Sequence, residues 1–401
     1  MRPIRLPEPP GGGMGTPEIF TGGAATAVRR AVVIGNGSPG AEGQCLGLVR
    51  ALGLADHLTL YRVTRPQGGI NEWLHFLPIS LHKLIDQVLR QFFRNTRFEL
   101  VIQGRKPYRV PNGGSVGLSS VLEADTKKIV AVARDTFDKE GPTLIVACGW
   151  DTISYSSSIR HLASDNVYVI QMQHPRSRLD RFDLVVTPRH DYYALTAGGQ
   201  QEVPRLFRRW ITPQEPPGRN VVLTVGALHQ ADSAALRLAA IAWHDKLAPL
   251  PKPLLIINIG GPTNSCGSVR VSFSRRTPRK VSDIISKEFT GHPKIYIWDG
   301  EDPNPHMGHL AWADAFVVSA DSISMLSEAC STGKPVYVIG TEHCKWKISA
   351  FHKTLRERGL VRPFTGLEDV SNSWSYPPLN DAIEVATRVR EVIAERGWSV
   401  G

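Results

Sequence analysis

The sequence predicts an α/β protein of two domains, each built on a parallel sheet. From Ala31 onward, short β-rich runs alternate with helical stretches, the order that lays helices over parallel strands. A proline-rich stretch, Leu247 to Pro253 (LAPLPKP), divides that alternation into two series of the same kind. The length of 401 residues suits two or three domains of about 100 to 200 residues each.

Residues 1–30 carry five prolines and six glycines, with Arg2, Arg5, Arg29 and Arg30 diluted by Glu8 and Glu18. They read as a flexible arm, being neither a secretory h-region nor an amphipathic transit helix. Residues 31–247 form the first domain, with strands expected at Ala31 to Gly35, Leu58 to Val63, Leu100 to Gln103, Thr143 to Gly149, Val167 to Gln171, Leu184 to Thr187 and Val221 to Gly226. Residues 248–253 are the linker. Residues 254–378 form the second domain, with strands at Leu254 to Gly260, Val269 to Ser274, Lys294 to Trp298, Ala315 to Ser319 and Val336 to Gly340. Residues 379–401 hold a last helix, Asn380 to Arg396, whose Ile383, Ala386, Val389 and Ile393 repeat at helical spacing, and this tail is expected to pack back on the first domain.

One connection breaks the pattern. Only the eight residues GPTNSCGS separate Gly260 from Val269, whereas a parallel crossover needs about a dozen, usually with a helix. Either these strands pair differently or the second domain lacks a crossover helix.

Composition excludes several classes. Hydrophobic residues at 42% and charged residues at 21%, with 36 Gly and 29 Pro, describe a globular chain rather than low-complexity disorder. Five cysteines, odd in number and never in a CxxC pair, suit a reducing compartment and argue against structural zinc. No metal or other cofactor is implied. No run approaches the ~18 apolar residues of a membrane span, so any action at a membrane is peripheral or through a partner. The charge of +10 (47 Lys and Arg against 37 Asp and Glu) attracts phosphate, nucleic acid or acidic membrane without choosing among them. Nucleic acid is not expected, because the basic residues are spread over both halves without an RRM, KH, zinc-finger or helix-turn-helix signature.

Ligands of open α/β sheets collect beyond the carboxyl ends of the strands. In the first domain those loops are NGSPGAEGQ (36–44), GWDT (149–152), QHP (173–175), PRHD (188–191) and GALHQAD (226–232), expected to open on one cleft. Gly37, Gly40 and Gly43, ahead of a helix expected near Gln44, would let backbone amides approach a phosphate; an ordinary tight turn explains them as well. His174, His190, Asp191 and His229 are the acid–base candidates, against a role in capping helices and holding loops. In the second domain, SADSISMLSEACSTGK (319–334) places a helix N-terminus after a strand, which favours an anion. Gly260 and Gly261 supply a glycine turn, and Arg275 and Arg276 two guanidiniums suited to phosphate oxygens. A helix over Leu81 to Arg97 has an apolar face that includes Phe92 and Phe93, and a basic stripe with Lys83, Arg90, Arg94 and Arg97. It suits an acidic membrane or a partner, or simply burial of one face; RLFRRW (205–210) is equally ambiguous.

The run SADSISMLSEACSTGKPVYVIG resembles the nucleotide-sugar half of GT-B glycosyltransferases, and by that resemblance Ser322 and Ser324 face a diphosphate and Glu328 a ribose. More of the chain is similar to one family: RRAVVIGNGSPGAEGQCLGLVRALGL, RVTRPQGGINEWLHFLP, VTPRHDYY, VVLTVGALHQAD, SFSRRTP and HCKWKI resemble the plant elongated-mitochondria fission factor family. That resemblance implies a GT-B-like scaffold at the cytosolic face of the mitochondrial outer membrane, or in the cytosol. It implies a partner too, a dynamin-related GTPase localised to fission sites, and an adaptor rather than an enzyme. The alternative is a metal-independent glycosyltransferase or a binder of nucleotide sugars, a vestigial ligand in the adaptor reading. At NSCGSV the family carries a helix of about twenty residues, the crossover that geometry also asks for.

Overall fold

The computed structural model describes residues 26–64, 84–85, 121–176, 178–202, 213, 215–258, 268–273, 277, 279–298, 300, 303–370 and 374–401. In chain order the first half comprises β1 (Thr26–Val28), β2 (Arg30–Gly35), α1 (Pro39–Ala51), β3 (Leu58–Arg62), β4 (Val121–Glu123), α2 (Thr126–Glu140), β5 (Thr143–Cys148), α3 (Ile153–Ala163), β6 (Val167–Met172), β7 (Leu184–Pro188), α4 (Ala197–Glu202) and β8 (Val221–Thr224). After α5 (Ser233–Ala242) and α6 (His244–Leu247) come β9 (Leu254–Asn258), β10 (Ser268–Val271), α7 (Arg279–Phe289), β11 (Ile295–Ile297), α8 (His306–Trp312), β12 (Ala315–Ser319), α9 (Ile323–Cys330), β13 (Val336–Ile339), α10 (Trp346–Glu357), β14 (Arg362–Pro363), α11 (Asp381–Glu395) and β15 (Trp398–Val400).

These elements build two Rossmann-like sheets. The first has seven strands in the order β4-β3-β2-β5-β6-β7-β8, the second six in the order β11-β10-β9-β12-β13-β14, and every neighbouring pair is parallel. The central strands TLIVAC and VYVIQM are buried at every position, as strands covered on both faces must be. One face of the first sheet packs against α1 and α11 through Cys45, Leu48, Val385, Val389 and Ile393. The other face packs against α2 and α3 through Ile129, Ala133 and Ile159.

Three sequence expectations change here. The arm expected over residues 1–30 ends sooner: β1 pairs in parallel with β15, and Val28 is fully buried. Helix α1 starts at Pro39, not near Gln44, so Gly40 and Gly43 are helical; proline at the helix start needs no amide partner and presets its φ. In α11 Val385 takes the buried place expected of Ile383, which is 57% exposed.

Strands β9 and β10 pair in parallel, Leu254 opposite Ser268, so the alternative of a different pairing is excluded. Nine residues, 259–267, join the two strands and lie outside the described residues. The face of this sheet under α7 holds a small cluster around Leu255, Ile257, Val269 and Val271. None of the α7 residues is buried, and Ile284 stands 61% exposed.

The joint between the domains is polar and buried. The Asp381 carboxylate at the start of α11 accepts the Val225 and Gly226 amides at 3.0 and 2.7 Å, and Ser327 Oγ accepts the Ala227 amide at 2.9 Å. A Cβ on Gly226 would stand 2.3 Å from that Oγ. A Cβ on Gly47 of α1 would stand 2.3 Å from the His229 carbonyl oxygen.

Candidate functional site

A cleft of about 990 Å³ opens where the carboxyl ends of β2, β5, β6 and β7 meet the start of α9 and α10. The loops read from sequence supply much of its wall: Asn36, Gly40, Gly149, Trp150, Gln173, His174, His190 and Asp191 from the first domain, with Asp321, Ser324, Trp346 and Lys347 from the second.

The glycine loop meets its own acid. Gly37, at φ 78°, donates its amide to Glu42 Oε1 at 2.8 Å. Arg62 closes on the same carboxylate with Nε to Oε1 at 2.8 Å and Nη2 to Oε2 at 2.7 Å. That bidentate pair raises the Arg62 pKa. Glu42 is only 5% exposed, so the positive end of α1 and the Gly37 amide face an internal anion. A Cβ on Gly40 or Gly43 would meet nothing.

Beyond β6, His174 Nδ1 accepts the Arg176 amide at 3.0 Å, and burial lowers its pKa. That bond fixes the proton of neutral His174 on Nε2. Beyond β7, burial pushes the His190 imidazole down to about 4. Its ring tilts against Phe351 at 5.2 Å, and its Nδ1 has no partner among the described residues. Burial opposes ionisation of Asp191, yet the Lys347 ammonium, His190 and Thr187 outweigh it and hold the carboxyl below its usual range. Lys347 Nζ reaches Asp191 from α10 at 3.0 Å, bridging the two sides of the cleft.

Not every candidate reaches this cleft. His229 was expected to open on it with the rest of GALHQAD, but of that loop only Ala227 lines it. The His229 main chain is pinned over Gly47, burial lowers its imidazole pKa, and Glu328 is the leading group opposing that shift. Glu328 is itself bonded, Oε2 to His306 Nε2 at 2.8 Å. Burial would raise the Glu328 pKa and lower that of His306, and each partner reverses the other, so the pair is charged. Ser322 sits at the cap of α9, buried, without a side-chain cap bond, while Ser324 lines the cleft. Gly260, Gly261, Arg275 and Arg276 lie outside the described residues, as do Lys83, Arg90, Phe92, Phe93, Arg94, Arg97 and the RLFRRW run. Leu84 and Ile85 of the amphipathic segment are helical, Leu84 at 56% exposure. Among the described residues there is no group of three or more His, Cys, Asp or Glu that could hold a metal, and no helix long and apolar enough to cross a membrane.

Sequence reasoning passed over Trp150, Arg176, Trp346 and Lys347 as site residues. Trp150 lay inside GWDT, and Trp346 and Lys347 inside HCKWKI, but nothing in a sequence says which way a side chain turns.

The family model described as "Mitochondrial fission ELM1" matches residues 39–268 and 263–393. The Arabidopsis thaliana mitochondrial fission protein ELM1 is 60% identical over 425 residues, covering all of both chains. The chain belongs to the mitochondrial fission ELM1 family. Those 425 aligned positions exceed its 401 residues by 24, and the family match breaks at the connection between β9 and β10. An uncharacterized Rickettsia prowazekii protein is 26% identical over 294 residues, 64% of this chain and 81% of the relative. Among solved structures, the UDP-GlcNAc 2-epimerase of Neisseria meningitidis bound to UDP-GlcNAc matches with 14% identity, coverage of 92% and 93%, and a TM-score of 0.40. The Escherichia coli ADP-heptose LPS heptosyltransferase II matches with 10% identity, coverage of 92% and 99%, and a TM-score of 0.37. At these scores neither likeness bears on activity or ligand.

Proposed function

We propose that this member of the mitochondrial fission ELM1 family is a non-enzymatic adaptor. It localises a dynamin-related GTPase to the cytosolic face of the mitochondrial outer membrane, where it attaches peripherally. The observation that carries the reading is full-length identity of 60% to a mitochondrial fission protein. A role in fission follows from that membership, and recruitment is the adaptor's part in it.

Deleting the gene tests the role. Loss of GTPase foci from mitochondria, with elongated organelles, is expected; unchanged foci and organelle length in a line without a paralogue would overturn it.

The 990 Å³ cleft at the strand ends favours one second reading, a nucleotide-sugar binder of GT-B type. On that reading calorimetry detects UDP or GDP sugars binding, and Arg276→Ala abolishes the signal. On the adaptor reading that variant still recruits the GTPase.

A further inference from the structure

We propose that the cleft binds a small ring-bearing ligand with a single phosphate or carboxylate, its ring on the indoles of Trp150 and Trp346 and its anion on the Arg176 guanidinium. The inference goes beyond recruitment of a GTPase and stands or falls separately from it.

The backbone supplies the first argument. Among the described residues, the left-handed conformation is held by eleven glycines and by three other residues, Gln173 (φ 66°), Arg176 (φ 52°) and Trp346 (φ 54°). All three line the cleft, from both domains. A left-handed conformation is strained for any residue with a Cβ, and more so for a bulky one such as Trp. Gln173 and Arg176 are exposed, so neither is retained for the core. Glycine would fit the backbone better at these positions, and elsewhere among the described residues glycine takes them. Strain held at one concave site by side chains that packing does not require is the mark of side chains kept for contact with something else.

The exposed side chains say what that is. Trp150 is 57% and Trp346 52% exposed, one from each domain in the same cleft. Indoles half open inside a concavity offer flat apolar faces to a ring, and the volume is that of a small-molecule site. Gln173, exposed in the same wall, adds an amide that can exchange hydrogen bonds with hydroxyls or ring heteroatoms. The charge limits the anion. Lys347 is already paired with Asp191, and Arg176 makes no ion pair with another described residue. One guanidinium suits one phosphate or carboxylate. A diphosphate would bring a second charge to a wall with no second open cation among the described residues, which separates this ligand from a nucleotide sugar. His174 is a positioning residue: its Nδ1 accepts the Arg176 amide and holds the loop that presents the guanidinium.

The test is a titration of the full chain, following tryptophan fluorescence and thermal stability, with UMP, glucose 6-phosphate, UDP-N-acetylglucosamine and inorganic phosphate as probes. UMP or glucose 6-phosphate is expected to quench the fluorescence and raise Tm, and to bind more tightly than the other two. Arg176→Gly is expected to weaken that binding by about tenfold or more while leaving Tm unchanged or about 1 to 4 °C higher, because the strain is released. Trp346→Ala and Trp150→Ala should each abolish the quench. The proposal is overturned by any of four results. These are no response to either ring monophosphate at 1 mM or so, tighter binding of UDP-N-acetylglucosamine, binding of inorganic phosphate equal to that of the ring compounds, or an Arg176→Gly protein that binds normally. GTPase recruitment can survive every one of these results.

Discussion

The carboxyl of Asp381 makes the interdomain joint sensitive to pH in a calculable way. It is 3% exposed, and burial pushes its pKa from the usual 3.8 to about 6, against the opposing pull of the Val225 and Gly226 amides. A raised carboxyl pKa means that the folded chain binds the proton more tightly than the unfolded chain. Its contribution to stability is therefore full below about 4 and is lost as pH rises towards 6. The difference between 3.8 and about 6 corresponds to about 3 kcal/mol, or about 6 to 12 °C in Tm for a domain of this size. Asp381→Asn isolates the pH dependence because it does not titrate; its Nδ2 cannot accept the second of the two backbone amides, which lowers its stability by the same amount at every pH. Thermal unfolding followed by circular dichroism between pH 4 and 7.5 should show the wild type losing about 3 kcal/mol relative to Asp381→Asn. Most of that loss should be complete by pH 6.5. Parallel curves would refute the reasoning, and a gain with rising pH would show that the two amides outweigh burial.

Three further outcomes follow from single contacts. Arg62→Ala strips the buried Glu42 of its bidentate partner and should cost about 2 to 4 kcal/mol in chemical denaturation; a loss under about 1 kcal/mol would mean that the Gly37 amide and water satisfy the carboxylate. Gly47→Ala drives a Cβ against the His229 carbonyl and should cost about 1 to 3 kcal/mol, seen as a lower denaturation midpoint, with no change if the two segments part freely. Inserting a helix-forming segment of about twenty residues between β9 and β10 should protect α7 and β11 from hydrogen exchange by covering apolar surface such as Ile284 and Tyr296, now 61% and 45% exposed; unaltered exchange would place the inserted residues elsewhere.

How far the sequence could be read depended on what each residue does. The strands TLIVAC and VYVIQM were legible because burial on both faces leaves an unbroken apolar run. The edge pieces were not: β1 is three residues long and pairs with β15 across almost the whole chain, and β14 is Arg362–Pro363, where proline argues against a strand. The cleft was legible as a place, since loops at strand carboxyl ends converge whatever their sequence. Its inner order was not. No composition rule announces a left-handed Trp346 or Arg176, and His229 left the cleft because the close approach of its main chain to Gly47 is a property of packing. The shortness of the connection between β9 and β10 was legible by counting, because crossover geometry sets a minimum length.

Recruitment is the central claim, and sedimentation tests it most directly. Mitochondria from cells lacking this protein are incubated with purified dynamin-related GTPase, with and without the purified chain, and pelleted. The adaptor account predicts that the GTPase pellets in proportion to the added chain, and equally so with Arg276→Ala. The same GTPase in the pellet with and without the chain would contradict it.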